Sequence, residues 1–258
     1  MSGIRLSVLR VVMGLIAGLV AGVSFASAAS TQPYQEYFTR FYPSHAKALF
    51  QIGAFSATQG NAQNVGIDGL IGDHFSVNDN TGHNVLLGLG YYANGFTAYN
   101  MDWMFGLNGF YFGHTSVNGY VTQEQMFTNL SYHYTITNYP LYFATRAYLH
   151  SGDERYNFTV DLGIGPDFIR TDNFSESSID GGVTLPDRAY SGRTTVAFSA
   201  TFGIGVKINN VVGHYPLEIG YKFFYLGEGK FNNLSNQFYN NLNTGNNYAN
   251  ALVFTISD

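Results

Sequence analysis

The sequence predicts an all-β fold, a closed antiparallel β-barrel of about eight strands whose apolar face points outward into lipid. Three observations carry this expectation. The stretch Thr194–Ile208, TTVAFSATFGIGVKI, alternates without a break from Val196 onward. Val196, Phe198, Ala200, Phe202, Ile204, Val206 and Ile208 share one face; Ala197, Ser199, Thr201, Gly203, Gly205 and Lys207 share the other. Period two is the signature of a strand with two unlike faces. Charged residues make up only 11% of the 258-residue chain, which nonetheless holds 22 Phe and 20 Tyr. Soluble domains carry about 25% charged residues, and a soluble sandwich needs them on its outer face. Finally, the candidate strands exceed the 5–6 residues usual in soluble sheets and reach the roughly 9–11 that cross hydrocarbon at a tilt. A closed barrel is the strand architecture that satisfies every backbone group in lipid, so the greasy face of each strand belongs outside.

The elements follow in order. Residues 1–28 read as a secretory signal peptide, with Arg5 and Arg10, an apolar run Val11–Phe25 and the small-residue site Ala26-Ser27-Ala28. The apolar run is short of the ~20 residues of a membrane-spanning helix. Residues 29–46 are expected as an N-terminal extension, and residues 47–258 as the barrel. Strand one is Lys47–Thr58, followed by a polar loop, Gln59–His83. Strand two, Asn84–Ala93, ends in a tight turn at Asn94-Gly95. Strand three is Met101–His114, followed by a polar connection. Strand four, Met126–Leu149, contains Pro140; its apolar residues are even-numbered up to Ile136 and odd-numbered from Leu141. A one-residue bulge at Thr137–Pro140 would reconcile the two halves. After a turn at Ser151-Gly152-Asp153 come strand five (Asn157–Thr171), a polar segment (Asp172–Arg193) and the Thr194–Ile208 strand. A connection, Asn209–Pro216, leads to strand seven, Leu217–Phe231. An Asn-rich segment, Asn232–Asn247, precedes the last strand, Tyr248–Ser257. Connections alternate between long and short, which matches barrels with short periplasmic turns and long outer loops.

A formal net charge of −5 with no basic stripe excludes a nucleic-acid binder. The chain has no Cys, hence no disulfide and no thiolate metal site. The inward faces of consecutive strands carry Arg146, Asp161, Lys207, Glu218 and Lys222. An eight-stranded interior is just filled by side chains, and charges buried there must pair. A structural plug of ion pairs is expected, with a narrow ion or proton path as the alternative. The histidines match no ligand spacing such as H-E-x-x-H. His74 and His83 with Asp73 and Asp79 form only a weak surface metal pattern. Ser131 and His133 share a face but lack the third group that nucleophilic catalysis needs. No catalytic, metal or cofactor-binding residue is assigned. Gly163-x-Gly165 and Gly203-x-Gly205 lie inside strands and read as small inward residues rather than phosphate loops.

Three runs carry a family resemblance: Leu217–Gly227 (LEIGYKFFYLG), Asp161–Pro166 (DLGIGP) and Tyr248–Phe254 (YANALVF). Together they resemble the penultimate strand, a Gly-rich central strand and the terminal strand of the small outer-membrane β-barrel superfamily, OmpA/OmpX-type and opacity-like surface proteins. Ala249 departs from the glycine usual in the terminal run, and Thr255–Asp258 follow its final aromatic residue. The resemblance implies a bacterial outer-membrane location, with Tyr248, Leu252 and Phe254 read by the barrel-assembly machinery. It implies a monomer in contact with outer-membrane lipid and lipopolysaccharide, whose loops meet an extracellular ligand, another cell or a host. The alternatives are a narrow pore for ions or small solutes, and a lipid A-modifying barrel enzyme.

Overall fold

The computed structural model describes residues 46–153, 155–212 and 215–257. The expected signal peptide and all but the last residue of the expected N-terminal extension lie outside the described residues. Ala46, that last residue, belongs to the first strand. Twelve strands follow one another: β1 Ala46–Thr58, β2 Gln63–Val65, β3 Asp73–Asp79, β4 Thr81–Ala98, β5 Met101–Gln123, β6 Phe127–His150, β7 Tyr156–Ser178, β8 Tyr190–Ser191, β9 Arg193–Val212, β10 Tyr215–Lys230, β11 Asn232–Asn233 and β12 Asn243–Ser257. Eight of them, β1, β4, β5, β6, β7, β9, β10 and β12, pair antiparallel in that order. The ring closes where β12 meets β1 from Leu49↔Ser257 to Thr58↔Tyr248. Closure leaves the ring without a free edge, as an apolar solvent demands.

In β9 both faces are uniform along the lower barrel. Val196, Phe198, Phe202 and Ile204 stand exposed on the outside, while Ser199 and Thr201 are buried in the lumen. The outer band continues around the ring through Leu87, Leu89, Leu107, Phe143, Phe158, Tyr221 and Leu252. The exposed rings of Tyr111 and Tyr139, 5.5 Å apart, mark its upper limit on β5 and β6. Aromatic girdles of this kind sit at the membrane–water interface.

Above that girdle the chemistry of the wall inverts. On β6, even-numbered residues face inward from Leu130 to Tyr148. Leu130, Tyr132, Tyr134 and Ile136 fill the upper interior, while the outward positions beside them are Ser131, His133, Thr135 and Thr137. Below the girdle the outward residues are Leu141 and Phe143, and the lumen receives Arg146. Lipid surrounds the lower wall and water the upper one, so the apolar set changes face while the strand keeps its parity. The bulge expected at Thr137–Pro140 is therefore absent: β6 pairs with β7 in unbroken register from Thr135↔Asp172 to Pro140↔Asp167. The shift lies on the neighbouring strand instead, where β5 gains one residue between Phe112 and Thr115 opposite Asn138 and Ile136. Asn84 Nδ2 donates to the His114 carbonyl at 2.8 Å and closes that gap. Pro140 brings no N–H to the ladder, and the N–H of Tyr139 beside it is taken by the Asp167 carboxylate at 2.9 Å.

Two expected connections are wall. The Gln59–His83 loop contains β2 and β3, and β3 pairs with the upper part of β5 from His74↔Thr122 to Asp79↔Asn118. The polar connection after strand three is strand as well: β5 runs to Gln123 and turns at Glu124 and Gln125, both in the left-handed region (φ 51° and 55°). The turn expected at Asn94-Gly95 is a strand irregularity between Asn94 and Thr97, and the chain reverses at Tyr99 and Asn100 (φ 52° and 61°). One end of the barrel thus carries the short turns after β4, β6 and β9. The other carries the connections 59–80, 124–126, 179–192 and 231–242.

Candidate functional site: a filled lumen under a loop crown

The lumen is layered. Nearest the turn end, the β6 residue Arg146 is fully buried and lies directly across from Asp161 of β7. Its Nε donates to Asp161 Oδ1 at 2.5 Å and its Nη2 to Asp161 Oδ2 at 2.8 Å. Nη1 and Nη2 also donate to Glu218 of β10, at 3.1 and 3.3 Å. Lys222 Nζ, four residues further along β10, donates to Asp161 Oδ2. Asp161 and Lys222 are two strands apart, and both face Gly203 of β9. A methyl group on Gly203 would lie 2.9 Å from Lys222 Cγ, so the missing side chain is the lane through which the lysine reaches its partner. Gly205 leaves a similar gap beside Glu218, whose Oε1 would be 3.2 Å from an added Cβ. These glycines do more than let the barrel close.

The structure brings together Arg146, Asp161, Glu218 and Lys222, two positive and two negative charges, and sets Lys207 apart from them. Lys207 is opposite Glu218 in register, but its Nζ lies over the Tyr148 ring, 4.7 Å from the centroid. Lys47 approaches the same ring at 5.4 Å. Among the described residues neither lysine has an ion-pair partner. Their positions and the tyrosine between them give the turn end a basic, cation–π mouth.

Above the charges lies an aromatic belt. Phe112 meets Phe55 and Phe224 edge-on, each at 4.9 Å between centroids, and Phe110 meets Phe224 at 5.2 Å. Tyr142 completes the layer, with its hydroxyl 2.6 Å from Ser199 Oγ. Edge-to-face pairs are worth about 0.5–1.5 kcal/mol each beyond the area they bury. Above the belt an apolar core joins the strands to the loops. Tyr134 packs on Phe231 at 4.9 Å, Phe75 on Tyr132 at 5.3 Å, and Phe174 on Tyr190 at 5.4 Å. Glu176 of β7 reaches into this zone and accepts the Arg188 N–H at 3.1 Å, which ties down the 179–192 connection. Burial pushes its carboxyl up to about 7 against the pull of that N–H, and Asp187 and Asp73 add to the rise.

The loop end presents exposed apolar side chains on braced backbone. Leu70, Ile71, Met126, Phe127, Val183 and Leu185 all project from it, with Val183 84% exposed. Ile71 N–H donates to Glu124 at 2.9 Å, which couples the 59–80 segment to the β5–β6 turn. Ile179 N–H donates to the Asn129 carbonyl at 2.9 Å, and Asn129 Nδ2 to Thr184 Oγ1 at 3.0 Å; both bonds hold the 179–192 segment to β6. Within that segment Asp180 accepts from the Ser178 hydroxyl (2.5 Å), the Thr184 hydroxyl (2.6 Å) and the Val183 and Thr184 N–H groups (3.1 Å each). Tyr239 OH donates to Asp68 at 2.5 Å and joins the 231–242 segment to the 59–80 segment. Periodicity reasoning missed this crown, because single apolar residues in Gly/Asn-rich segments carry no repeat.

The remaining candidates are dispersed. His74 bonds Asn64 at 2.6 Å and His133 bonds Asn118 at 2.9 Å, while Ser131 donates to the Ser177 carbonyl. Ser131 and His133 lie on the outer wall above the girdle. Among the described residues no group of three or more His, Cys, Asp or Glu side chains is arranged to hold a metal ion. Tyr248, Leu252 and Phe254 line the outer face of the closing strand, where Phe254 stands between Ile52 and Ile219.

No protein-family model matches the chain, and no curated protein matches it. Solved structures do. OprG, an outer membrane protein from Pseudomonas aeruginosa, shares 11% identity, with 83% of this chain and 96% of that chain covered and a TM-score of 0.46. The outer membrane protease OmpT of Escherichia coli shares 9% identity over 90% and 98% of the two chains, with a TM-score of 0.46. Neisserial surface protein A shares 11% identity over 81% and 95%, with a TM-score of 0.39. The closed eight-strand ring, the outward apolar band under its tyrosine girdle and the short-turn end opposite a loop end give this chain the fold of the small outer-membrane β-barrels.

Proposed function

We propose that the protein is a sealed surface barrel: a structural component of the outer membrane whose loop crown binds a partner outside the cell. The observation that carries this reading is the crown itself. Large apolar side chains exposed on loops are an interaction surface in a soluble environment. Loops braced by side-chain caps lose less entropy on binding than loose ones, so the bracing favours recognition. The layered lumen supports the other half of the reading. A buried ion-pair network and an aromatic belt in series fill the interior with side chains, which favours a sealed barrel over a pore.

Two measurements test it. Purified protein in planar bilayers is expected to show no discrete single-channel steps, and steps of defined conductance would refute the sealed barrel. Cells displaying the wild-type chain are expected to adhere to a host-cell or matrix surface. Cells displaying a variant with Leu70→Ser, Ile71→Ser, Val183→Ser and Leu185→Ser are expected to lose that adhesion. These positions are exposed, so the barrel still folds, and equal adhesion by both would refute the binding role.

A further inference from the structure

We infer that the partner of the crown is a cationic amphipathic polypeptide surface, one that presents Lys or Arg beside apolar side chains; this rests on the surface-binding reading above. The argument is one of charge. The connections at the loop end present Asp68, Asp79, Glu124, Asp180 and Asp187, with Asp73 buried behind them, against Arg188 and the flanking Arg193 and Lys230, so acids outnumber bases at this end. Among the described residues none of these acids has an ion-pair partner. Several are bonded to neutral donors only: Glu124 to the Ile71 N–H, Asp68 to the Tyr239 hydroxyl, Asp180 to hydroxyl and N–H groups of its own turn. These bonds fix the carboxylates in place and leave their charge uncompensated. They are thus preorganised beside Leu70, Ile71, Met126, Val183 and Leu185.

That combination discriminates among occupants. A wholly apolar partner would strip water from the carboxylates and give nothing back. An anionic lipid surface recruits apolar loops flanked by Lys and Arg, the reverse of this pattern. A polyanionic glycan is repelled for the same reason. A partner with basic residues around an apolar stripe meets both features at once, and opposite charge also speeds the encounter.

The test uses the full chain in phosphatidylcholine nanodiscs. The probes are a labelled Leu/Lys amphipathic helical peptide and its Leu/Glu counterpart, read by fluorescence anisotropy. Gel mobility before and after heating verifies that each variant is folded. The Leu/Lys peptide is expected to bind wild-type discs at least about tenfold more tightly than discs carrying the four-serine crown variant. The preference is expected to shrink as salt is raised, and to fall severalfold in Glu124→Gln/Asp187→Asn, which keeps the apolar residues. Equal binding of the Leu/Lys peptide to wild-type and crown-variant discs, or Leu/Glu binding as tight as Leu/Lys, would overturn the inference. Adhesion that still depends on the crown in that case would leave the surface-binding reading standing with a different partner. Adhesion indifferent to the crown would remove both.

Discussion

Removing one carboxylate from the lumen tests whether the interior is dry. Asp161 and Glu218 divide the five hydrogen bonds of the cluster unequally: Asp161 accepts three, two from Arg146 and one from Lys222, and Glu218 accepts two. Glu218→Ala leaves Arg146 its two bonds to Asp161 but gives a neutral, buried group of charges a net +1. Breaking a buried pair costs about 3–5 kcal/mol, and the surviving bonds place Glu218→Ala near about 3. Asp161→Ala strands Lys222 as well, which places it near about 5. Urea unfolding in lipid vesicles measures both, with the single Trp, Trp103 of β5, as the fluorescent reporter. Replacing all four charges together (Arg146→Met, Asp161→Leu, Glu218→Leu, Lys222→Met) is expected to recover most of the loss, because no ion is then left without a partner. A loss under about 0.5 kcal/mol for both single alanine variants is the size of an exposed ion pair. It would show that water reaches the cluster, and the sealed lumen would fall with it.

Three further expectations follow from the geometry. On β6, Phe143 and Ser131 face outward on either side of the girdle, so Phe143→Lys is expected to cost about 2–4 kcal/mol and Ser131→Lys within about 0.5; equal costs in the same vesicle assay would contradict the inversion of the wall. Gly203→Val closes the lane used by Lys222 and is expected to destabilise by about 1–3 kcal/mol, with little additional loss when combined with Lys222→Met; fully additive losses would show that the lysine does not depend on the gap. The Glu176 carboxyl, raised from 4.5 to about 7, holds its proton in the folded barrel over a window where the unfolded chain has released it. Stability therefore rises as pH falls from about 7 to 4.5, by at most about 3 kcal/mol, and Glu176→Gln flattens that slope. An unchanged slope in the variant would assign the pH dependence elsewhere.

The strands that were easiest to read are those whose two faces each see a single environment. The Thr194–Ile208 run of β9 lies almost wholly against lipid on one side and lumen on the other, so alternation alone gave its orientation. Alternation in β6 is as regular, but it records only which parity is apolar and not which side is wet. Tyr134 and Phe143 are both large and apolar, yet one is buried and the other exposed because the solvent outside the wall changes between them. The two hidden reversals have a different cause. Glu124 and Gln125 adopt positive φ without the Gly, Asn or Asp that usually marks such turns, and the first reversal has Asn100 as its one such residue, beside the bulky Tyr99, so both left a weaker signal than Asn94-Gly95. Asn94-Gly95 carried that signal for another reason: an added Cβ on Gly95 would lie 2.7 Å from the Phe105 ring, so the glycine serves close approach. Within the lumen the inward charges were legible from parity. Their partners were not, because pairing depends on strand stagger and on which neighbour lacks a side chain. Lys222 crosses Gly203 to Asp161, while Lys207, facing Glu218 in register, turns to Tyr148.

The inverted wall also constrains the order in which the chain can be assembled. Below the girdle each strand is ready for lipid as soon as it pairs. Above it, Leu130, Tyr132, Ile136 and their counterparts on β5 and the loops are comfortable only when packed against one another. A chain entering from the periplasm must carry these segments through the bilayer before their shared interior exists. Condensation of the outer half is consequently the last event, and it happens on the far side of the membrane. Once formed, that packed head exposes polar outward positions such as Ser131, His133 and Thr135, which cannot re-enter hydrocarbon cheaply, so its packing opposes withdrawal. Retreat of the barrel would require the head to melt first.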